Sequence, residues 1–223
     1  MRRPWSIALG VLLLSVLVAR DAAAQWNVAR FETGRSHAYA AFGLDPAVVT
    51  SVGYAYVVGV SGHDFQLALD AGVAAAKMDT GDFRARLGMQ TSLVTWGSLR
   101  ATGSATFITR GTENTIYQGL NFGSDFTGTF GVYRQGWFAA GEFGFDKAIV
   151  TRVTHSDWYR TYYYADAKDG WYIDAGGTFH TGPTVGFATG QVEVVGRFGW
   201  LWTEDFNDLM PPMYASLGVG FGF

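Results

Sequence analysis

Cysteine is absent from the 223 residues, so neither a disulfide framework nor a thiolate metal site is available, and stability must come from sheet and packing. Prolines number only five, so little of the chain is punctuated by rigid breaks. Beyond residue 24 no segment offers 18 consecutive apolar residues, which excludes a helical membrane protein. The formal net charge is −3, which lacks the basic footprint that nucleic acid demands. No internal repeat or linker divides the chain.

What is present is glycine and aromatic residues. Thirty glycines, seventeen phenylalanines, eleven tyrosines and eight tryptophans describe a chain of strand formers and tight turns. The opening stretch, MRRPWSIALGVLLLSVLVARDAAAQ, places Arg2 and Arg3 before an apolar run from Trp5 to Ala19, followed by Ala22, Ala23 and Ala24. That order matches a secretory signal peptide at residues 1–24, cleaved after Ala24. A membrane anchor is the alternative, but the apolar run falls short of the roughly 20 residues that span hydrocarbon. The remainder, 25–223, has the size of a single domain.

The closing stretch, MYASLGVGFGF, has a period of two. Met213, Ala215, Leu217, Val219, Phe221 and Phe223 share one apolar face, while Tyr214, Ser216, Gly218, Gly220 and Gly222 share the other. One face meets something greasy and the other something crowded. Export, alternation and scarcity of helical pattern together predict an all-β transmembrane antiparallel up-and-down β-barrel rather than a secreted β-sandwich. The signal peptide and the Phe-ending strand resemble bacterial outer-membrane β-barrel proteins. That resemblance implies a location in the outer membrane of a Gram-negative envelope, contact with outer-membrane lipids, and a terminal signal at Leu217, Val219, Phe221 and Phe223 read by the barrel assembly machinery.

Short periplasmic turns and longer outer loops assign strand directions and give about ten strands, with eight or twelve as neighbouring counts. Rising strands are expected to Leu44 and over 64–76, 98–110, 137–145 and 184–202. Descending strands are expected over 49–59, 82–94, 115–133, 171–179 and from 213. His180 to Pro183 reads as a periplasmic turn, and the phase change near Gly190 reads as a bulge. Trp96, Tyr133, Trp137 and Phe223 are assigned to the periplasmic girdle, and Trp171, Trp200 and Trp202 to the outer one.

The inward faces carry Asp70, Arg84, Arg86, Arg100, Glu142, Asp146, Asp174, Glu193 and Arg197. Their charges nearly cancel, and a small barrel is filled by its side chains, so a paired polar core is expected. Asp70, Glu142 and Glu193 are expected around Arg197 at mid-height, a grouping that could serve as a proton-sensitive gate. Arg84, Arg86, Asp146 and Asp174 are expected nearer the outer mouth.

The segment THSDWYRTYYYADAKDGWY gathers His155, Trp158, Tyr159, Arg160, Tyr162, Tyr163 and Tyr164, a composition suited to recognition of envelope polysaccharide or a partner protein. Several of its tyrosines are also expected to extend a strand into the outer girdle. The alternative function is a narrow, porin-like channel for small solutes or ions, and a third reading is a lipid A-modifying enzyme. No catalytic motif supports an enzyme, no two histidines share a metal-binding spacing on one strand, and no cofactor is expected.

Overall fold

The computed structural model describes residues 25–31, 35–45, 47–75, 81–173 and 176–223. The expected signal peptide and Asp174 lie outside them. Among the described residues are β1 (Ser36–Asp45), β2 (Ala47–Val60), β3 (His63–Ala74), β4 (Phe83–Trp96), β5 (Leu99–Glu113), β6 (Tyr117–Arg134), β7 (Trp137–His155), β8 (Gly170–Ile173), β9 (Gly177–Thr189), β10 (Val192–Thr203) and β11 (Asp208–Gly222). A single short helix, α1 (Asp157–Tyr162), lies between β7 and β8 among these residues.

All pairings are antiparallel between neighbours, β7 pairs with β9, and β11 returns to β1, so ten strands close into a ring. Closure satisfies the backbone of every ring strand without presenting an edge to lipid. The remaining strand, β8, lies on the same edge of β7 as β9: Val150 pairs with Ile173 where Lys147 pairs with Gly177. It is the upward continuation of β9, beyond the ring.

Side chains alternate as the period of two requires. On β11, Leu217, Val219, Phe221 and Phe223 are exposed outward while Tyr214, Gly218, Gly220 and Gly222 are buried inward. Outward residues such as Val52, Leu69, Leu87, Phe126, Phe130 and Phe143 are exposed around the ring, an apolar belt of the kind that lipid covers. Inward positions hold Asp70, Arg84, Arg86, Glu142, Asp146, Glu193 and Arg197, all buried. A closed ring with an apolar exterior and a polar lumen is a transmembrane β-barrel of the bacterial outer-membrane type. The turns at Ser61–Gly62, Gly97–Ser98, Gln135–Gly136 and Gly190–Gln191 gather at the end that holds Ser36 and Phe223, the periplasmic end of the expected topology, while the opposite end carries the long β7–β8 connection and also the tight link from Asp45 to Ala47.

Four expectations are corrected. His180 to Pro183 is no turn but the middle of β9, and the turn lies at Gly190, whose φ of 56° closes the connection. Glycine and proline usually break a strand; here the β9–β10 ladder shows no pairing between Thr181 and Thr184, the interval that contains Pro183, so the ring absorbs the missing N–H locally. β7 continues to His155, ten residues past the expected end at 145. Tyr159, Tyr162, Tyr163 and Tyr164 are on or beside α1 and do not extend a strand, whereas Tyr172 lies on β8. Tyr133 is buried in the lumen, not in the periplasmic girdle, with its hydroxyl 2.5 Å from Thr129 Oγ1 and its ring stacked on Phe138.

Candidate functional site

The lumen contains two similar wall-bound networks at mid-height. Tyr39 of β1 lies across Gly53 of β2, where any Cβ would collide with its ring, and its hydroxyl donates to Asp70 Oδ2 at 2.9 Å. Arg86 Nε donates to Asp70 Oδ1 at 2.7 Å, and the two residues are register partners on β3 and β4. In the second network Tyr214 of β11 lies across Gly199 of β10, and its hydroxyl donates to Glu142. Arg197 grips the same carboxylate with two bonds, 2.8 and 2.7 Å, a bidentate geometry that fixes both partners. His180 extends the network, with Nδ1 3.8 Å from Glu142 Oε1 and Nε2 3.0 Å from Asp125 Oδ2. Nearer the outer mouth, Arg110 pairs with Asp146 and donates to Asn121 Oδ1 at 3.1 Å.

The expected grouping of three carboxylates around Arg197 is therefore corrected. Only Glu142 belongs to Arg197; Asp70 belongs to Arg86 and Tyr39. Glu193 is the second residue of β10, because the turn precedes it directly, and so lies at the periplasmic end and not at mid-height. Arg84 and Asp146 take the outer positions expected of them, whereas Arg86 is level with Asp70.

Glu193 has another partner. Residues Gln25–Phe31 fold back into the periplasmic end of the lumen, where Val28–Arg30 make one 3-10 turn capped by the Asn27 side chain. Glu193 Oε1 accepts from the Asn27 backbone N–H at 2.8 Å, and the Asn27 amide donates to the Arg134 carbonyl at 2.6 Å. Gln90 and Arg100 donate to the carbonyls of Trp26 and Val28, at 3.3 and 3.2 Å. Gln135 donates to the Ala29 carbonyl at 2.9 Å. Trp26, Val28 and Phe31 then form an apolar cluster with Tyr39, Ala55, Val57, Tyr133, Phe138 and Val195. A hydrophobic core thus sits inside a polar lumen, and the segment supplies its largest member, Trp26.

The outer head is built on α1. Ser156 caps the helix by accepting from Tyr159 N–H at 3.1 Å and anchors it by donating to the Thr115 carbonyl at 2.7 Å. Asp169 ties the far side: it accepts from the His155 backbone N–H at 2.8 Å and pairs with Arg160 Nη2 at 2.5 Å. These contacts, led by the His155 N–H, lower the Asp169 carboxyl to about 2. Tyr159 is buried and stacked on His155, whereas Trp158, Tyr162, Tyr163 and Tyr164 are exposed. The expected recognition segment thus divides into anchors, His155, Tyr159 and Arg160, and an exposed aromatic surface. Trp158 and Tyr163 meet with centroids 5.0 Å apart.

Sequence reasoning placed Tyr214 on the inner face without a partner, and missed Tyr39, His180, Asp125 and the whole of Gln25–Phe31 as lumen residues. The glycines opposite the tyrosines were the available signal, since Gly53 and Gly199 are inward positions kept empty for a neighbour's ring.

No protein-family model matches the sequence, and no curated protein matches it. Among solved structures it is similar to a porin, at 13% identity and a TM-score of 0.36, over 92% of this chain and 60% of that one. It is also similar to the β domain of the Bordetella autotransporter BrkA, at 13% identity and a TM-score of 0.37, over 85% of this chain and 99% of that one. A third likeness is the Acinetobacter baumannii outer membrane protein Omp33, at 10% identity and a TM-score of 0.31, over 85% and 98% of the two chains. The chain thus spans about 60% of the porin's length. The barrel assignment rests on the closed strand ring itself.

Proposed function

We propose that the protein is an outer-membrane barrel, closed at rest, that works as a binding protein through its outer head. The observation that carries this reading is the exposed pair of Trp158, in the first turn of α1, and Tyr163, which caps its end, on a head fixed by Ser156 and Asp169. Flat aromatic faces held rigidly outside the membrane suit the apolar faces of sugar rings, so the ligand class is an envelope polysaccharide. Rigid aromatic side chains make such contacts at low entropic cost. The role is one of binding and not catalysis, because the head's single histidine is committed to packing on Tyr159 and to Asp169.

Residues 1–24 act in this reading as an export signal, removed after Ala24. Leu217, Val219, Phe221 and Phe223 form the strand face presented to the assembly machinery, in support of which all four point outward.

Titration of refolded protein with purified envelope polysaccharide tests the reading. Wild type is expected to bind, and Trp158→Ala with Tyr163→Ala to bind about tenfold or more weakly, the scale of about 1.4 kcal/mol. Undiminished binding by the folded double variant would refute the role of the head.

A further inference from the structure

The mid-height ion pairs hug the wall. Asp70 and Arg86 are register partners on adjacent strands, and Arg197 reaches Glu142 along the wall formed by β10, β9 and β7. Tyr39 and Tyr214 lie flat over Gly53 and Gly199 instead of projecting toward the axis. At the periplasmic end small inward positions, Ala55, Ala140, Gly220 and Gly222, alternate with the larger Tyr133, Phe138 and Val195, and leave a seat between them. What occupies that end is the inserted segment, Gln25–Phe31.

The seat of the segment is incompletely satisfied on both sides. Gln25 Oε1 and Trp26 Nε1 on the segment, and Gln66 Nε2 and Arg100 Nε on the wall, are buried without a hydrogen-bond partner among the described residues. Glu193 Oε2 likewise makes no hydrogen bond and has only Arg30 Nε at 3.7 Å. Each such atom loses its hydration while the segment is docked and regains it when the segment leaves. The wall has buried unsatisfied atoms too, such as Ser51 Oγ and Thr184 Oγ1, but its strands are held by continuous ladders, whereas the segment is held by a few separate bonds to Glu193, Arg134, Gln90, Arg100 and Gln135. The docked segment is therefore held more weakly than the barrel that holds it.

We propose that Gln25–Phe31 is a displaceable plug, and that its departure opens the lumen as a path for small hydrated ions between the outer mouth and the periplasm. Glu193 and Arg100, released from Asn27 and Val28, then line the opened mouth. One carboxylate and one guanidinium give that mouth weak charge preference.

Single-channel recording of the refolded chain in planar bilayers tests this. Wild type is expected to be mostly closed with brief openings. Asn27→Ala with Glu193→Ala removes the side-chain bond to Arg134 and the acceptor of the Asn27 N–H, and is expected to raise the open probability about tenfold, the change that about 1.4 kcal/mol produces. A chain lacking residues 25–31 is expected to stay open at the same unit conductance. Since that deletion also removes part of an apolar cluster, its folded state is checked by heat-modifiable gel mobility. A second arm keeps the plug: Ala29→Cys with Gln135→Cys, in a chain otherwise free of cysteine, is expected to lock the protein shut when the two thiols are joined by a short cleavable crosslinker, and to release it when the linker is cleaved. A folded deletion variant that stays silent would overturn the proposal. If the deletion does not fold, unchanged openings in both the anchor variant and the crosslinked variant would overturn it equally.

Discussion

Trp26 lies against Gly220 of β11, where a Cβ would come within 2.5 Å of the indole ring. The empty face of that strand is thus the complement of an aromatic side chain nearly two hundred positions earlier in the sequence. Gly220→Val is expected to expel Trp26 while the barrel stays closed as a ring, with a loss of about 1 to 3 kcal/mol, the usual cost of overpacking. Urea titration of the folded band measures it. Gly196→Ala is the control, because its added carbon meets only Val185, at 3.9 Å. Equal stability of Gly220→Val and wild type would mean that Trp26 does not occupy this seat.

The two wall networks share no residue, and this separates them energetically. Arg197→Ala strands Glu142, and Arg86→Ala strands Asp70, each at a cost of about 3 to 5 kcal/mol for breaking a buried pair. Combined, the two losses are expected to add within about 0.5 kcal/mol. A double-mutant cycle with a clearly larger coupling would restore the single cluster around Arg197 that the sequence had suggested.

The outer head carries a pH dependence of definite sign. Asp169 has its carboxyl lowered from 3.8 to about 2, so its contribution is fully present above the unfolded value and is lost as pH falls through the folded one. The protection of residues 155–170 against hydrogen exchange, after correction for the intrinsic slowing of amide exchange in acid, is expected to fall between about pH 4 and pH 2. Asp169→Asn is expected to show fast exchange already at neutral pH and no further acid step. An acid step of the same size in the variant would assign the effect to another group.

Phe223 closes the seam between the first and last ring strands. Its N–H donates to the Ser36 carbonyl at 2.9 Å, its own carbonyl accepts from Ser36 at 3.3 Å, and its ring packs beside Phe221 and Tyr54. Phe223→Asp is expected to lower the yield of the heat-modifiable folded form in cells, since it places a charge on the lipid face at the barrel rim. Normal yield would remove the assembly role proposed for the terminal strand.

Much of this architecture was legible because a period of two is local. Leu217 to Phe223 declared a lipid face, and the run from Thr115 to Tyr133 declared one long strand; both are so paired. Direction failed only where local chemistry misled, at His180–Pro183, whose glycine and proline are tolerated by a gap in the β9–β10 ladder. Pairings across the lumen were a different matter. Glu193 was assigned to Arg197 because its height was misread by one turn, and its true partner, the Asn27 N–H, belongs to a segment with no periodicity to announce it. The helix α1 was hidden by aromatic residues that suit strands equally well, and only its Ser156 cap distinguished it.

Hydrogen–deuterium exchange of the refolded barrel, read on the peptide covering residues 25–31, bears most directly on the plug. The amides of Asn27, Ala29 and Arg30 are bonded to Glu193, to the Asn27 side chain and to the Asn27 carbonyl. They are expected to exchange about 100-fold or more slowly than an unstructured chain, yet faster than the β5–β6 ladder, because a weakly held element opens before the ring does. Exchange at the rate of an unstructured peptide would contradict the closed lumen, and with it the reading of this protein as a plugged barrel.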